Sequence, residues 1–250
     1  MAISVELIAY SQLAPSQNLV ADSVVEKVNA SAANLCYNAI GAKDILAGMS
    51  KEKAERLTRQ MVASGHHSTI EHVSFTFAIE GISRACTHQL VRHRIASYSQ
   101  QSQRYVKAKD FMDSAIKPRT IAKNAEANAK FDALMQQIAD CYNELTEMGI
   151  PAEDARFVLP NAAETKIVVT MNARSLLHFF EERCCNRAQW EIREMANLML
   201  KEVRKVAPTL FATAGPTCES ARFCREGSRS CGKLEALLKA DALKAETEKK

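Results

Sequence analysis

The sequence has no uninterrupted apolar run long enough to cross a bilayer, although 47% of its 250 residues are hydrophobic. Its first residues, MAISVELIAYSQL, include Glu6 and no basic residue, so they do not resemble a signal peptide. In the absence of such a signal, the eight cysteines indicate a reducing compartment and not a disulfide framework. We therefore expect a cytoplasmic protein that does not interact with membranes.

Strong net charge and a glycine-rich phosphate loop are also missing. The formal net charge is only +4, which is too mild for a protein that binds nucleic acid through a basic face. No glycine-rich dinucleotide fingerprint is present, so any pyrophosphate must be bound by side chains instead of loop N–H groups. There is no internal repeat and no low-complexity linker, and the length suits a single domain.

Hydrophobic periodicity predicts many helices and few strands. Val73, Phe75, Phe77 and Ile79 alternate with polar residues as in a half-buried strand, which we expect to end at Gly81. Further strands are predicted at 5–10 and, as a run covered on both faces, at 166–171, while the polar segment 64–72 is predicted as a loop. Helices are predicted at 50–64, 82–94, 124–148, 173–184 and 189–206, followed by a helical end of the tail.

These elements predict an α+β fold in which an antiparallel-type central sheet packs with several long helices in a single domain. We assign residues 1–215 to a catalytic domain and residues 216–250 to a cysteine-containing tail.

The stretch VRHRIASYSQQSQRYV, residues 91–106, concentrates hydrogen-bonding groups. It contains Arg92, Arg94 and Arg104 and no carboxylate. If the helix ends near Arg94 and the chain then extends, Gln100, Ser102 and Arg104 lie on one side. Guanidinium groups suit phosphate oxygens, and amides with serine suit a base or a ribose. A basic surface turn is the alternative, but the lack of acidic neighbours favours a binding site.

Three blocks in the same order resemble the flavin-dependent thymidylate synthases. RHR followed by seven residues and Ser102, with S-x-R-Y after it, is similar to the family signature. SGHHSTIEH (64–72) resembles the loop that precedes the strand and the motif helix in the family. MNARSLLHFFEERCCNRAQWEIR (171–193) resembles the family's second conserved block. Arg156 also falls where the family has an arginine. The resemblance covers roughly residues 50–206.

The resemblance implies conversion of dUMP to dTMP, with methylenetetrahydrofolate as carbon donor, NADPH as reductant and FAD as working cofactor. It also implies a homotetramer that holds FAD at subunit interfaces. The dUMP-contacting residues implied by position are Gln89, Arg92, Gln100, Ser102, Arg104, Arg156 and Arg183. The FAD-contacting residues implied are His66, Ser68, Arg92, His93, Arg94, Gln100, Asn172, Arg174 and His178.

Arg183 is the residue to which we assign the chemistry, because a fixed guanidinium beside the uracil ring stabilises the charge that develops there. We expect it on a polar helix face. Ser102 is interpreted as a hydrogen-bonding group and not as a nucleophile, which needs an adjacent base. Gln100 and His178 depart from the glutamate and asparagine that are common in the family, and both replacements keep hydrogen bonding but change the charge.

Three alternatives remain open. Arg92, Arg94 and Arg104 with Tyr98 and Tyr105 would also suit an RNA- or DNA-binding module, although the mild net charge opposes it. The second alternative is a flavin-binding protein that has lost the methylation activity and only oxidises NADPH. A metal bound by Cys218, Cys224 and Cys231 is the third, but their spacing lacks C-x-x-C pairs and no fourth ligand is evident, so we expect no metal. The loop histidines at 66, 67 and 72 likewise have no supporting ligand.

Overall fold

The computed structural model describes residues 2–14, 25–108 and 111–247. The four strands are β1 Ser4–Tyr10, β2 Ser74–Ser83, β3 Ser97–Gln100 and β4 Glu164–Asn172, and they form one sheet in the order β1-β2-β4-β3. The sheet is antiparallel and the class is α+β in a single domain, as predicted. Within the described ranges no helix combines the length and apolar character needed to cross a bilayer.

The helices account for most of the remaining described chain. They are α1 Glu26–Leu35, α2 Ala42–Ala47, α3 Lys51–Ala63, α4 Arg84–Leu90, α5 Phe111–Ser114, α6 Arg119–Ala122, α7 Ala125–Glu147, α8 Ala152–Ala155, α9 Ala173–Arg183, α10 Trp190–Val206, α11 Thr217–Ser220 and α12 Lys233–Thr247. Single-turn to two-turn 3-10 helices occupy His67–His72, Arg156–Val158 and Gly227–Arg229.

Local capping signals explain why the predicted helices α3 and α7 begin where they do. The Ser50 hydroxyl accepts a hydrogen bond from Lys53 N at 3.2 Å, and Asn124 Oδ1 accepts one from Ala127 N at 3.0 Å. Both helices are followed by a glycine with positive φ, Gly65 at 74° and Gly149 at 87°. The predictions for α3, α7, α9 and α10 are confirmed.

The chain forms two compact units. The first, unit 1, comprises Met1–Val5 and Ala78–Val169, and the second, unit 2, comprises Glu6–Phe77 and Thr170–Lys250. In unit 1, α7 buries Met135 and Ala139 against Phe111 and Ala163. In unit 2, Phe211 packs edge-to-face on Phe75 at 5.3 Å and on Phe180 at 5.9 Å between ring centroids. The predicted boundary at residues 215 and 216 stays a prediction.

Four local predictions are wrong. Segment 64–72 is not a plain loop, since His67–His72 forms a 3-10 helix. Gly81 does not end its strand, because β2 continues to Ser83 with Gly81 at φ +70° and the Ala2 carbonyl oxygen where a Cβ would stand. Strand β4 is covered on one face only, since Val168 is 38% exposed while Ile167 and Val169 are buried.

The fourth correction concerns the arginine-rich stretch. Helix α4 ends at Leu90 and not near Arg94, and the extended chain ends at Gln100. Residues Gln103–Tyr105 form a turn in which Ser102 O accepts a hydrogen bond from Val106 N at 3.0 Å. Ser102, half-buried like Tyr98 and Gln100, still continues the alternation, whereas Arg104 lies in the turn and does not.

Candidate active site

The turn after α4 presents the first candidate residues of unit 1. Arg92 N donates to Gln89 O at 3.3 Å and His93 N donates to Leu90 O at 3.1 Å. These bonds close the chain into a turn directly after the helix. Gln89, on the last turn of α4, and Arg92, His93 and Arg94 are consequently close along the chain, but through a turn and not through the continuous helix that the sequence predicted.

Tyr98, which the sequence analysis considered only for the nucleic-acid-binding alternative, holds this turn in place. Its hydroxyl lies 2.7 Å from His93 O and 3.0 Å from Leu90 O, so it donates to one of these carbonyls at a time. Burial raises the pKa of Tyr98 to about 12, which keeps the hydroxyl protonated as a donor. In β3, Tyr98 and Gln100 are half-buried and the serines beside them are exposed. The alternation of these residue types in the sequence was the only signal that Tyr98 faces inward.

Arg92 and Arg94 have exposed side chains at this turn. Within residues 2–14, 25–108 and 111–247, neither guanidinium makes an ion pair or hydrogen bond with another side chain. His93 is half-buried between them in the chain and has protein interactions of its own. Two arginines without carboxylate partners are suitable donors for phosphate oxygens.

Gln100 uses its amide nitrogen to join three elements of unit 1. Nε2 donates to the hydroxyl of Thr87 in α4 at 3.1 Å and to that of Thr165 in β4 at 3.2 Å. Thr87 in turn donates to Arg84 O at 2.9 Å. Both threonines are buried, so Gln100 positions β3 beside α4 with its nitrogen already engaged.

Ser102, Arg104 and Arg156 form a second group in unit 1. Ser102 Oγ accepts Arg104 N–H at 3.2 Å, and among the described residues no base contacts that hydroxyl. Arg104 donates from Nε to the Glu153 carboxylate at 2.9 Å, and Arg156 donates from Nε to Glu153 O at 3.1 Å. Glu153 therefore links Arg104 and Arg156, two of the four arginines that were predicted to bind the substrate.

Arg84 is a further cation that sequence reasoning missed. It is the first residue of α4 and is half-buried. Burial lowers the pKa of the Arg84 guanidinium, and the positive charge of Arg156 lowers it further. Two guanidinium groups that repel each other in a partly buried position favour a bound anion, but nothing in the sequence near Arg84 indicated this.

Unit 2 carries the remaining candidates in the 3-10 helix His67–His72 and at the start of α9. His66 and Ser68 are exposed at the beginning of the 3-10 helix. Arg174 Nη1 donates to Glu71 Oε1 at 2.5 Å, which ties the start of α9 to that helix. Arg174 is thus paired with a carboxylate, unlike Arg92 and Arg94 in unit 1.

Asn172, His178 and Arg183 have different surroundings along α9. Asn172 Oδ1 caps the helix by accepting a hydrogen bond from Ser175 N at 2.9 Å, so its Nδ2 group is the part left for a ligand. His178 is exposed one turn after Arg174 and has a protein partner. Arg183 does not lie on a polar face as predicted, because it is half-buried one turn after the fully buried Phe179 and Phe180.

The donor set of this chain fits an anionic, phosphate-containing cofactor. Arg92 and Arg94 offer unpaired guanidinium groups from a turn that Tyr98 fixes, which supplies by side chains what a glycine-rich loop supplies by backbone N–H groups. Exposed His66 and Ser68 offer further polar contacts in unit 2. The side chains that this α+β fold presents are thus suited to phosphate-containing small molecules.

Comparison with known proteins defines the family. Residues 18–209 match the family described as "Thymidylate synthase complementing protein". The chain is 52% identical over 208 residues to the flavin-dependent thymidylate synthase of Geobacter sulfurreducens, covering 83% of this chain and 89% of that protein. It is 49% identical over 230 residues to the enzyme of the same name from Clostridium tetani, covering 86% and 91%. The chain belongs to the family of flavin-dependent thymidylate synthases.

Proposed function

We propose that this protein methylates dUMP to dTMP, with methylenetetrahydrofolate as carbon donor, NADPH as reductant and FAD as bound cofactor. The observation that carries the proposal is the turn after α4, where Arg92 and Arg94 present unpaired guanidinium groups within a sequence that belongs to this family. Bound flavin supplies the redox chemistry of the reaction.

Arg92, His93 and Arg94 bind the phosphates of the flavin cofactor in this proposal. Their orientation depends on Tyr98, whose hydroxyl donates a hydrogen bond to a carbonyl group of the turn. Ser68, Asn172, Arg174 and His178 are further proposed flavin contacts, with His66 near the flavin ring. Arg174 binds a phosphate oxygen with the N–H groups that do not face Glu71.

Arg104 and Arg156 bind the dUMP phosphate, a dianion that charge-assisted hydrogen bonds favour. Gln89 and Ser102 donate to the sugar or base, and Gln100 holds β3 so that Ser102 is presented correctly. Arg183 lies beside the uracil carbonyl and stabilises the negative charge that builds up when carbon 5 becomes nucleophilic. Its half-burial among apolar residues strengthens this electrostatic effect.

The homotetramer, with flavin at subunit interfaces, and the cytoplasmic location remain part of the proposal. Exposed apolar side chains in unit 1, such as Ile95 at 75% and Phe157 at 83%, support the burial of such side chains in an assembly. Sedimentation of the flavin-loaded protein measures the number of subunits.

Two measurements test the function. The purified protein is expected to be yellow, and it is expected to release tritium from carbon 5 of labelled dUMP only when NADPH and methylenetetrahydrofolate are both added. A yellow protein that oxidises NADPH but releases no tritium overturns the synthase function and leaves a flavin-dependent NADPH oxidase. A colourless protein that takes up no added FAD and binds single-stranded nucleic acid leaves the nucleic-acid-binding alternative.

A further inference from the structure

A pocket of unit 2 brings four cysteines together. Cys185, Cys218, Cys224 and Cys231 all line it, and we call it the thiol pocket. Cys185 follows α9, whereas the other three belong to the segment between α10 and α12. The sequence analysis considered only those three thiols and missed a fourth ligand, because Cys185 is distant along the chain.

The adjacent residues Cys184 and Cys185 differ in burial and in whether they line the pocket. Cys184 is 5% exposed in the core and is not part of the pocket lining, whereas the partly exposed Cys185 is. All eight cysteines are free thiols, so no disulfide accounts for the grouping. Four free thiols in one pocket are unusual for side chains that serve only as packing.

Polar groups of the chain already donate to two of these sulfur atoms. Arg187 N lies 3.5 Å from Cys185 Sγ, and Asn186 Nδ2 lies 3.7 Å from Cys231 Sγ. Both donors come from the segment that directly follows Cys185. Hydrogen bonds of this kind orient sulfur ligands and stabilise their thiolate form in metal sites.

The backbone between these cysteines is built of tight turns. Arg222 has φ 51°, a left-handed conformation that is uncommon for a residue other than glycine, and it precedes Cys224. Gly232, with φ 80°, follows Cys231 directly. Arg222 is held by Asp241 at 2.8 Å from Nε to Oδ2 and by Glu219 O. These turns therefore bring the segment between α11 and α12 back to the end of α9.

Side chains of both charges line the pocket. Arg187, Arg225 and Lys233 line it together with Glu181, Glu182 and Glu226. Arg225 pairs with Glu181 at 3.3 Å and with Glu182 at 3.0 Å, and Lys233 pairs with Glu219. Arg225 and Lys233 are therefore already paired with carboxylates, and it is a bound dication itself that would supply the charge to stabilise thiolates.

We propose that Cys185, Cys218, Cys224 and Cys231 bind one Zn²⁺ ion and thereby fasten the tail to the end of α9. In the described residues no group of three or more His, Cys, Asp or Glu side chains already has metal-binding geometry. The thiols must therefore rotate about their single χ1 bonds to reach Zn–S distances of about 2.3 Å. Four thiols lose four protons to the solvent as four zinc–sulfur bonds form, and no redox step is involved.

Metal analysis of the full chain tests the proposal independently of flavin. The protein, purified under reducing conditions and dialysed, is expected to contain one zinc per chain. Replacing zinc with Co²⁺ is expected to produce the visible bands of a tetrahedral cobalt ion and a sulfur-to-cobalt charge-transfer band. Absence of stoichiometric zinc after incubation with Zn²⁺ overturns the proposal, as does a disulfide among these cysteines detected by mass spectrometry.

Matched cysteine variants assign the ligands. Cys218→Ser and Cys231→Ser are expected to lose zinc at least tenfold faster to a chelator, whereas Cys36→Ser and Cys141→Ser, at exposed positions outside the pocket, keep wild-type release. Cys224→His is expected to keep the ion and weaken the charge-transfer band, which separates loss of a ligand from loss of the fold. Wild-type zinc retention in every pocket variant contradicts the assignment.

Discussion

Arg104 is not free in this structure, since Glu153 Oε2 lies 2.9 Å from its Nε and 2.8 Å from its Nη2. Both side chains are about half exposed, at 51% and 47%, so water screens the pair and its net strength is below about 1 kcal/mol. A phosphate dianion is a stronger partner for the same guanidinium. The carboxylate of Glu153 therefore competes weakly with the proposed substrate.

Substitution Glu153→Gln is expected to strengthen dUMP binding. Removing the competing charge frees Arg104 and lowers the dissociation constant by up to about fivefold, which corresponds to about 1 kcal/mol. Titration calorimetry of the FAD-loaded protein measures this change. Glu126→Gln, which disrupts the exposed pair with Lys130, is the control and should leave dUMP affinity unchanged. Weaker dUMP binding by Glu153→Gln would mean that Glu153 orients Arg104 for the phosphate instead of competing with it.

Arg183→Ala is expected to lower turnover by about a hundredfold or more, which is the usual cost of removing one fixed donor from a developing charge. Because Arg183 is half-buried after Phe179 and Phe180, thermal unfolding must be measured alongside tritium release. Arg59→Ala removes an exposed arginine of α3 and is the control for charge. Unchanged turnover in a folded Arg183→Ala protein excludes Arg183 from the chemistry.

The alkaline stability of the protein is expected to depend on Tyr98. Its pKa is raised from 10.0 to about 12 in the folded state, so its protonated hydroxyl favours folding below about pH 10. That contribution is lost as the pH rises from 10 to 12. Urea unfolding of wild type and Tyr98→Phe at neutral pH and at high pH measures it.

The difference in unfolding free energy between these two proteins should shrink as the pH rises through that window. Tyr105→Phe is the matched control, since Tyr105 is 78% exposed. An equal pH dependence in all three proteins contradicts a role for the Tyr98 hydroxyl in fixing the turn.

The sequence predicted those features that depend on neighbouring residues. Ser50 and Asn124 cap their own helices, so α3 and α7 were predictable from local pattern. The end of α4 was not predictable in this way, because the Tyr98 hydroxyl of β3 donates to the carbonyl groups of Leu90 and His93, where that helix ends. The same reason applies to Cys185 in the thiol pocket, where the grouping depends on tertiary packing.

Candidate site residues divide in the same way. Arg92 and Arg94 were identified as candidates from the motif, although the turn that carries them was not predicted, whereas the pairing of Arg174 with Glu71 connects positions far apart in the chain. The proximity of Arg84 and Arg156 is also a product of folding, and no spacing rule predicts two cations near one another.

Gln100→Glu is expected to destabilise the protein. The Gln100 Nε2 group donates to Thr87 Oγ1, and the Thr87 hydroxyl proton is already directed at Arg84 O at 2.9 Å. A carboxylate has no proton to donate to Thr87, so the buried hydroxyl oxygen loses its donor at a cost of about 1–3 kcal/mol. Urea unfolding of Gln100→Glu and of the exposed neighbour variant Gln101→Glu, which should be nearly neutral, provides the comparison. Equal stability of the two variants would show that Thr87 turns its hydroxyl to donate to the carboxylate.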